Sequence, residues 1–261
     1  MLSVTATRLV NPDGGRYVGA ENFQYLIASD PFWHSVVTTL LYTGFTVIAV
    51  VLLGTAAAVA LDARFFGRSV VRAIATIPWA IPTIAASLIF AWIYNDQQGI
   101  LGQGTRALGL GQPGWLTDPD WGLFSVTVAT VWKAFPLAML VMLAALQSVP
   151  HELKEAAWID GATRWQTFRA VTLPHLAPTI RVLTLLMTIW SIRRFEIIYV
   201  MTGGGPIDAT NTLVVSIYNT AFADQHLGRA AAIGVLALGL SLTVTMIYFV
   251  VERRRERKGE S

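Results

Sequence analysis

The chain has 261 residues, of which 54% are hydrophobic and only 13% charged, with a formal net charge of +3 and no cysteine. Soluble domains average about 25% charged residues, so this is the composition of an integral membrane protein, at a length that suits one membrane domain. Disulfides, thiolate metal sites and cysteine nucleophiles are excluded, and His34, His151, His175 and His226 lack metal-ligand spacing.

Residues 1–32 are polar and turn-rich, with a turn cluster at Asn11-Pro-Asp-Gly-Gly15 and no signal-peptide pattern. Ser35–Leu61 is uncharged over 27 residues, enough to cross a hydrocarbon core of about 30 Å with some tilt. After a short basic turn, Ala73–Tyr94 is a second uncharged stretch, and its Pro78 and Pro82 predict a kinked helix packed in a bundle. Asn95–Trp121 reads as a loop dense in Gly, Pro and Asp. Leu123–Val149 is the third span, with Lys133 about ten residues in. A polar island follows at 150–176, and then Ala177–Thr202, the fourth span, carries Arg193, Arg194 and Glu196. Gly203, Gly204, Gly205 and Pro206 end that span, a moderately apolar segment runs to His226, and Ala230–Val251 is the fifth.

Loop Lys and Arg favour the cytoplasm. One side holds Arg64, Arg68, Arg72, Lys154, Arg164, Arg169, Arg181, Arg253, Arg254, Arg255, Arg257 and Lys258; the other holds Arg8, Arg16, Arg106 and Arg229. Twelve against four places the island and the C-terminus in the cytoplasm. The chain then divides into an extracytoplasmic segment (1–32), a membrane domain (33–251) that includes the cytoplasmic loop 150–176, and a basic tail (252–261). Five spans leave residue 1 outside with no signal ahead of it, so a sixth, N-terminal helix is expected to be missing from this sequence.

Within the island, Ser148-Val-Pro150 reads as a helix entry, and Glu152 and Glu155 favour the first turns of a helix dipole. Gly161 suits a tight turn that needs φ > 0. Trp165, Phe168 and Val171 follow at helical spacing, and Pro174 and Pro178 are expected to end the element. The product is a helix-turn-helix knob. On these residues it either lies on lipid, with Trp158 and Trp165 as anchors, or docks closely on a protein through its small alanines.

Glu155-Ala156-Ala157-x-x-Asp160-Gly161-Ala162, Phe168 and Leu173-Pro174-x-x-x-Pro178 resemble the EAA loop of binding-protein-dependent ABC importer permeases. Further pieces resemble the carbohydrate-uptake branch, in particular subunits similar to the larger maltose-transporter permease. These are Tyr17-Val-Gly-x-Glu-Asn22, Pro78-Trp-Ala-Ile-Pro82, Trp132-Lys-x-x-Pro136, Leu146-Gln-Ser-Val-Pro150 and Thr202-Gly-Gly-Gly-Pro206. The resemblance implies an all-α permease bundle in a bacterial or archaeal inner or plasma membrane. It also implies ATPase coupling through the matched island positions, with Gly161 at the turn. The implied partners are a second homologous permease, a cytoplasmic ATPase dimer, an extracytoplasmic solute-binding protein, a sugar and membrane lipid, with no nucleic acid. No Gly-x-x-x-x-Gly-Lys-[Ser/Thr] is present, so the chain is expected to be no enzyme and to hold no cofactor, ATP and Mg²⁺ being bound by the ATPase partner.

At 1.5 Å per residue, Arg193 lies about 18 Å above Arg181, and Lys133 about 15 Å from the outer end of its span. A charge facing lipid costs about 3 kcal/mol on insertion scales, so Lys133, Arg193, Arg194 and Glu196 imply a polar or wet interior. Two readings stay open. One is a solute path of Lys133, Trp190, Arg193, Arg194, Phe195, Glu196 and Tyr199; the other is an internal ion pair, Arg193 and Glu196 being spaced to pair on one helix face. Gly203–Pro206 is either a loop facing the binding protein or a plain helix stop. The expected solute is a sugar, with a disaccharide such as trehalose or maltose favoured; an anionic glycerol phosphate or glycerophosphodiester is the alternative. An ion-driven secondary transporter would need no docking knob. A membrane-embedded hydrolase would need a nucleophile–base pair or metal cluster, which the sequence does not present.

Overall fold

The computed structural model describes residues 1–12, 15–63, 65–109 and 111–259, the last six by backbone alone. Arg64, the centre of the 11–15 turn cluster, and the side chains of Arg254, Arg255, Arg257 and Lys258 lie outside the described residues. Among those described all regular structure is helical, apart from two isolated bridges, Thr5 with Tyr17 and Arg8 with Asn11.

Hydrocarbon offers backbone groups no partners, so the long apolar runs close their own hydrogen bonds as helices. After α1 (Glu21–Ile27), the first span is α2 (Asp30–Asp62). The second is split into α3 (Arg68–Ala80) and α4 (Thr83–Ile93), the third is α6 (Pro119–Gln147), the fourth α9 (Leu173–Ile192) and the last α12 (Leu227–Gly259). Four helices are long and apolar enough to cross a membrane, or five when α3 and α4 count as one broken span. Between them lie α5 (Ile100–Ala107), α7 (His151–Ile159), α8 (Arg164–Thr167), α10 (Glu196–Thr202) and α11 (Leu213–Tyr218).

Several expectations need correction. The second span is not one kinked helix but two, bent by 95° at Ile81-Pro82; with both residues extended, the helix cannot carry through. The stretch 95–121 is not all loop, because α5 folds back so closely that a Cβ on Gly102 would lie 2.7 Å from the Asp96 carbonyl oxygen. The fourth span stops at Ile192, not Thr202. The chain leaves the helix there for three residues, with Arg193 exposed, before α10 buries the adjacent Ile197 and Ile198. Pro174 and Pro178 do not end the island's second helix: Arg164–Ile192 runs through as one 29-residue helix. A π-helical turn at Phe168–Thr172 shifts the hydrogen-bond register just ahead of Pro174, where a proline forfeits its own bond.

The central helix is α6, with 56% of its most apolar window buried, against 6% for the peripheral α12. It runs alongside α2, and the two approach so closely that a Cβ on Gly54 would sit 2.5 Å from the Ala138 Cβ. Small residues at such crossings let membrane helices reach van der Waals contact, which replaces the hydrophobic drive that lipid cannot supply. The main core joins Val50 and Ala58 of α2, Ala138, Met139 and Met142 of α6, and Leu176 and Leu183 of α9. A second core gathers Tyr42, Tyr94, Val126, Ile197, Ile198 and Val215.

The N-terminal residues are pinned onto the start of α12. Leu9 N donates to Gln225 O (2.9 Å), Gly228 N to Thr7 O (3.1 Å) and Asn22 Nδ2 to Thr5 O (2.9 Å). Gly228 is required there, because a Cβ would fall 2.0 Å from the Thr5 carbonyl oxygen. At the other end of α12, Glu252 pairs with Arg181 near the start of α9.

Candidate functional site

The island is a knob held from within. Helix α7 ends in a Schellman motif: Gly161, at φ +78°, donates to Trp158 O (3.0 Å), and Ala162 N to Ala157 O (2.9 Å). Thr163 then opens α8 with a capping box, in which Gln166 N donates to Thr163 Oγ1 and Thr163 N to Gln166 Oε1. The signature Thr163-x-x-Gln166 is readable in the sequence and marks the second helix start to the residue. Ser148, expected at a helix entry, instead caps the end of α6, and Pro150 is the N-cap of α7.

No residue of α7 is buried. Leu153 (50% exposed), Trp158 (56%), Ile159 (86%) and Trp165 (69%) form an apolar surface, with the exposed Glu152, Glu155 and Asp160 in the same short element. Apolar area of this kind, rimmed by charge, marks an interaction face. Phe168 stacks on Trp165 at 5.6 Å, and Phe168, Leu173 and Pro174 all lie on the uninterrupted 164–192 helix. The knob is thus one rigid piece with the fourth span.

The far end of that helix meets the broken second span. Trp190 stacks on Trp79 with ring centroids 6.1 Å apart. Beside this pair are two cavities of about 400 Å³. One is lined by Trp79, Ile81, Pro82, Thr83, Lys133 and Arg194; the other by Trp190, Arg193, Arg194, Phe195 and Glu196. Arg194 forms their common wall. Both are polar openings between helix breaks, unlike the larger depression between α2 and α6, about 670 Å³, whose walls are almost wholly apolar.

Lys133 has a specific partner. Its Nζ donates to the Ile81 carbonyl oxygen at 2.5 Å, and the residue is 6% exposed. The break at Ile81-Pro82 turns that carbonyl out of the helical ladder, where in hydrocarbon it would stay unsatisfied. Lys133 therefore braces the break as well as lining the cavity. The proline after Ile81 was the sequence signal for this orphan acceptor; which donor meets it, 52 residues away, was not legible.

The pairing of Arg193 with Glu196, one of the two readings open from sequence, is not formed. The helix ends at Ile192 and restarts at Glu196, so the two do not share a face, and Arg181–Glu252 is the ion pair found among the described residues. Arg194 Nε is buried with no hydrogen-bond partner. Phe195 and Tyr199 stack at 4.9 Å and meet Tyr218 at 5.1 and 4.5 Å, an aromatic cluster in which Tyr218 is a member the sequence reading omitted, as it omitted Trp79.

The Gly203–Pro206 run packs onto the start of α6: a Cβ on Gly122 would lie 3.3 Å from Pro206 Cδ. Gly203 (φ +62°) stops α10, and Gly204 (φ +100°) is buried against Val215. The loop exposes Gly203 and its tip, Ile207 and Asp208. Among the described residues no group of three or more His, Cys, Asp or Glu is arranged to hold a metal ion.

The geometry is that of a helix bundle with one broken span, two cavities bordered by charged side chains and an exposed knob continuous with one span. The family model described as "Binding-protein-dependent transport system inner membrane component" matches residues 50–257. The chain belongs to that family: it is a multi-pass inner-membrane permease subunit of an ABC importer, a membrane component rather than an enzyme. It is 37% identical over 239 residues to the trehalose/maltose transport system permease protein MalF of Thermococcus litoralis, covering 92% of this chain and 81% of that protein. It is 33% identical over 240 residues to the sulfoquinovosyl glycerol transport system permease protein SmoG of Agrobacterium fabrum, covering 92% and 78%. In fold it matches a bacterial ABC transporter involved in import of the acidic polysaccharide alginate, with a TM-score of 0.83 at 24% identity over 91% of this chain and 84% of that one.

Proposed function

We propose that this chain forms half of the solute path of an ATP-driven carbohydrate importer, beside a second permease, and that its solute is about the size of a disaccharide. The observation that carries this is the uninterrupted helix from Arg164 to Ile192, which joins the exposed knob to the paired helix breaks. The named relatives, whose solutes are trehalose or maltose and sulfoquinovosyl glycerol, support a small glycoside. In this reading Glu155, Ala156, Ala157, Asp160, Gly161 and Ala162 seat the knob in a cytoplasmic ATPase, which binds the ATP and Mg²⁺. Phe168, Leu173 and Pro174 carry its displacement up the helix. Lys133, Trp190, Arg193, Arg194, Phe195, Glu196 and Tyr199 border the path, and the Gly203–Pro206 loop holds its exposed tip toward an extracytoplasmic solute-binding protein. The charge asymmetry supports a cytoplasmic knob and C-terminus, an outward 1–32 segment, a membrane domain over 33–251 and an inward basic tail, 252–261.

The test is uptake of labelled disaccharide into proteoliposomes holding both permeases and the ATPase, with binding protein added. Accumulation should require ATP and binding protein together. Equal accumulation on an ion gradient alone would refute the reading.

A further inference from the structure

The two cavities beside the Trp79–Trp190 pair are bordered by three cations, Lys133, Arg193 and Arg194, and by one carboxylate, Glu196. That carboxylate is confined to the second cavity; the first is bordered by Lys133 and Arg194 with no acid among its lining. None of the three cations is in an ion pair among the described residues. Lys133 spends one of its three donors on a neutral carbonyl and forms no ion pair among the described residues. Arg194, in the common wall, forms no ion pair among the described residues. A guanidinium and an ammonium bordering one cavity are a donor pair suited to an oxyanion. Stacked indoles close by offer flat apolar faces to the C–H face of a sugar ring.

Resting on the importer reading above, we infer that the solute is an acidic carbohydrate: a small glycoside carrying one carboxylate, sulfonate or phosphate. Arg194, helped by Lys133, takes the anionic group, while Trp79 and Trp190 take the ring. A neutral sugar would leave the two cations that line the first cavity with no counter-charge among its lining. An acidic one sets a counter-charge between them.

The test uses the complete importer, with its binding protein, in proteoliposomes. The probes are maltose and trehalose as neutral solutes, against disaccharides ending in glucuronate, 6-sulfo-glucose or glucose 6-phosphate. At least one acidic probe should accumulate with ATP, with a KM at least tenfold below that of either neutral sugar. Arg194→Gln should raise that KM about tenfold or more, and Arg194→Lys, which keeps the charge, should restore most of it. Co-purification of each variant with its partners controls for folding. Preferential uptake of a neutral disaccharide would overturn the inference and leave the importer reading standing, as would an acidic-probe KM indifferent to Arg194→Gln. Failure of every carbohydrate to accumulate with ATP would overturn both.

Discussion

Gly161 offers the most direct test of the knob, because its conformation is forced and its surroundings are empty. At φ +78° an L-residue pays about 1–2 kcal/mol, and a Cβ added there meets nothing within 4 Å, so no steric term adds to that cost. The same energy opposes the Schellman closure from Gly161 to Trp158 and from Ala162 to Ala157, and favours states in which α7 runs on or frays. A penalty of 1–2 kcal/mol lowers the population of the closed turn about 5- to 30-fold relative to those states. Asn tolerates the left-handed region better than Ala, and a β-branched residue tolerates it least. Coupling should therefore fall in the order Gly, Asn, Ala, Val. It is measured in proteoliposomes as solute accumulated per ATP hydrolysed, with complex assembly checked by co-purification. Hydrolysis that continues while uptake declines along the series is the expected result. Gly161→Val coupling as well as the native protein, or a decline that ignores the order, would refute the turn as part of the drive train.

Lys133→Met removes the partner of the Ile81 carbonyl, a charge-assisted bond of about 1.5–3 kcal/mol, but also removes a buried ammonium that costs about 3 kcal/mol to insert. The thermal midpoint of the detergent-purified complex should barely move, whereas Lys133→Glu, which sets an anion against a carbonyl, should prevent assembly; equal damage from both would disprove the brace. Gly54→Leu drives a side chain into Ala138 and should destabilise by more than the roughly 1–3 kcal/mol typical of core overpacking, while Gly44→Leu, where a Cβ meets nothing within 4 Å, should be neutral. The two midpoints compared directly decide it. Because the chain lacks cysteine, single Ile159→Cys and Tyr17→Cys variants report orientation cleanly, both native side chains being more than two-thirds exposed. A membrane-impermeant maleimide should label position 17 in intact spheroplasts and position 159 only in inside-out vesicles; the reverse pattern would invert the topology.

What the sequence determined by itself were the features whose causes are local or additive. Ser35–Leu61 and Ala230–Val251 are spans because uninterrupted apolar runs have one stable state in hydrocarbon. Gly161 is a turn because glycine occupies the left-handed region freely, and the island stands apart because its acids and alanines contrast with everything around it. The fourth span shows where such reading stops. Hydropathy carries it to Thr202, yet the helix ends at Ile192, and the separate helix that follows must bury Ile197 and Ile198 against Tyr42, Tyr94 and Val126. That demand comes from other helices and leaves no mark on residues 190–196. The same holds for the Ile81-Pro82 break. Two prolines announced a defect, but not its 95° bend, nor its lysine partner, which comes from α6, 52 residues away. Even the polar head gave no sign of its destination on Gln225 and Gly228 of the α12 start. Tertiary structure alone decided which intramembrane charges share a wall and which have no partner, because a charge in a span records only that it is costly there, while its compensation depends on neighbours distant in the chain.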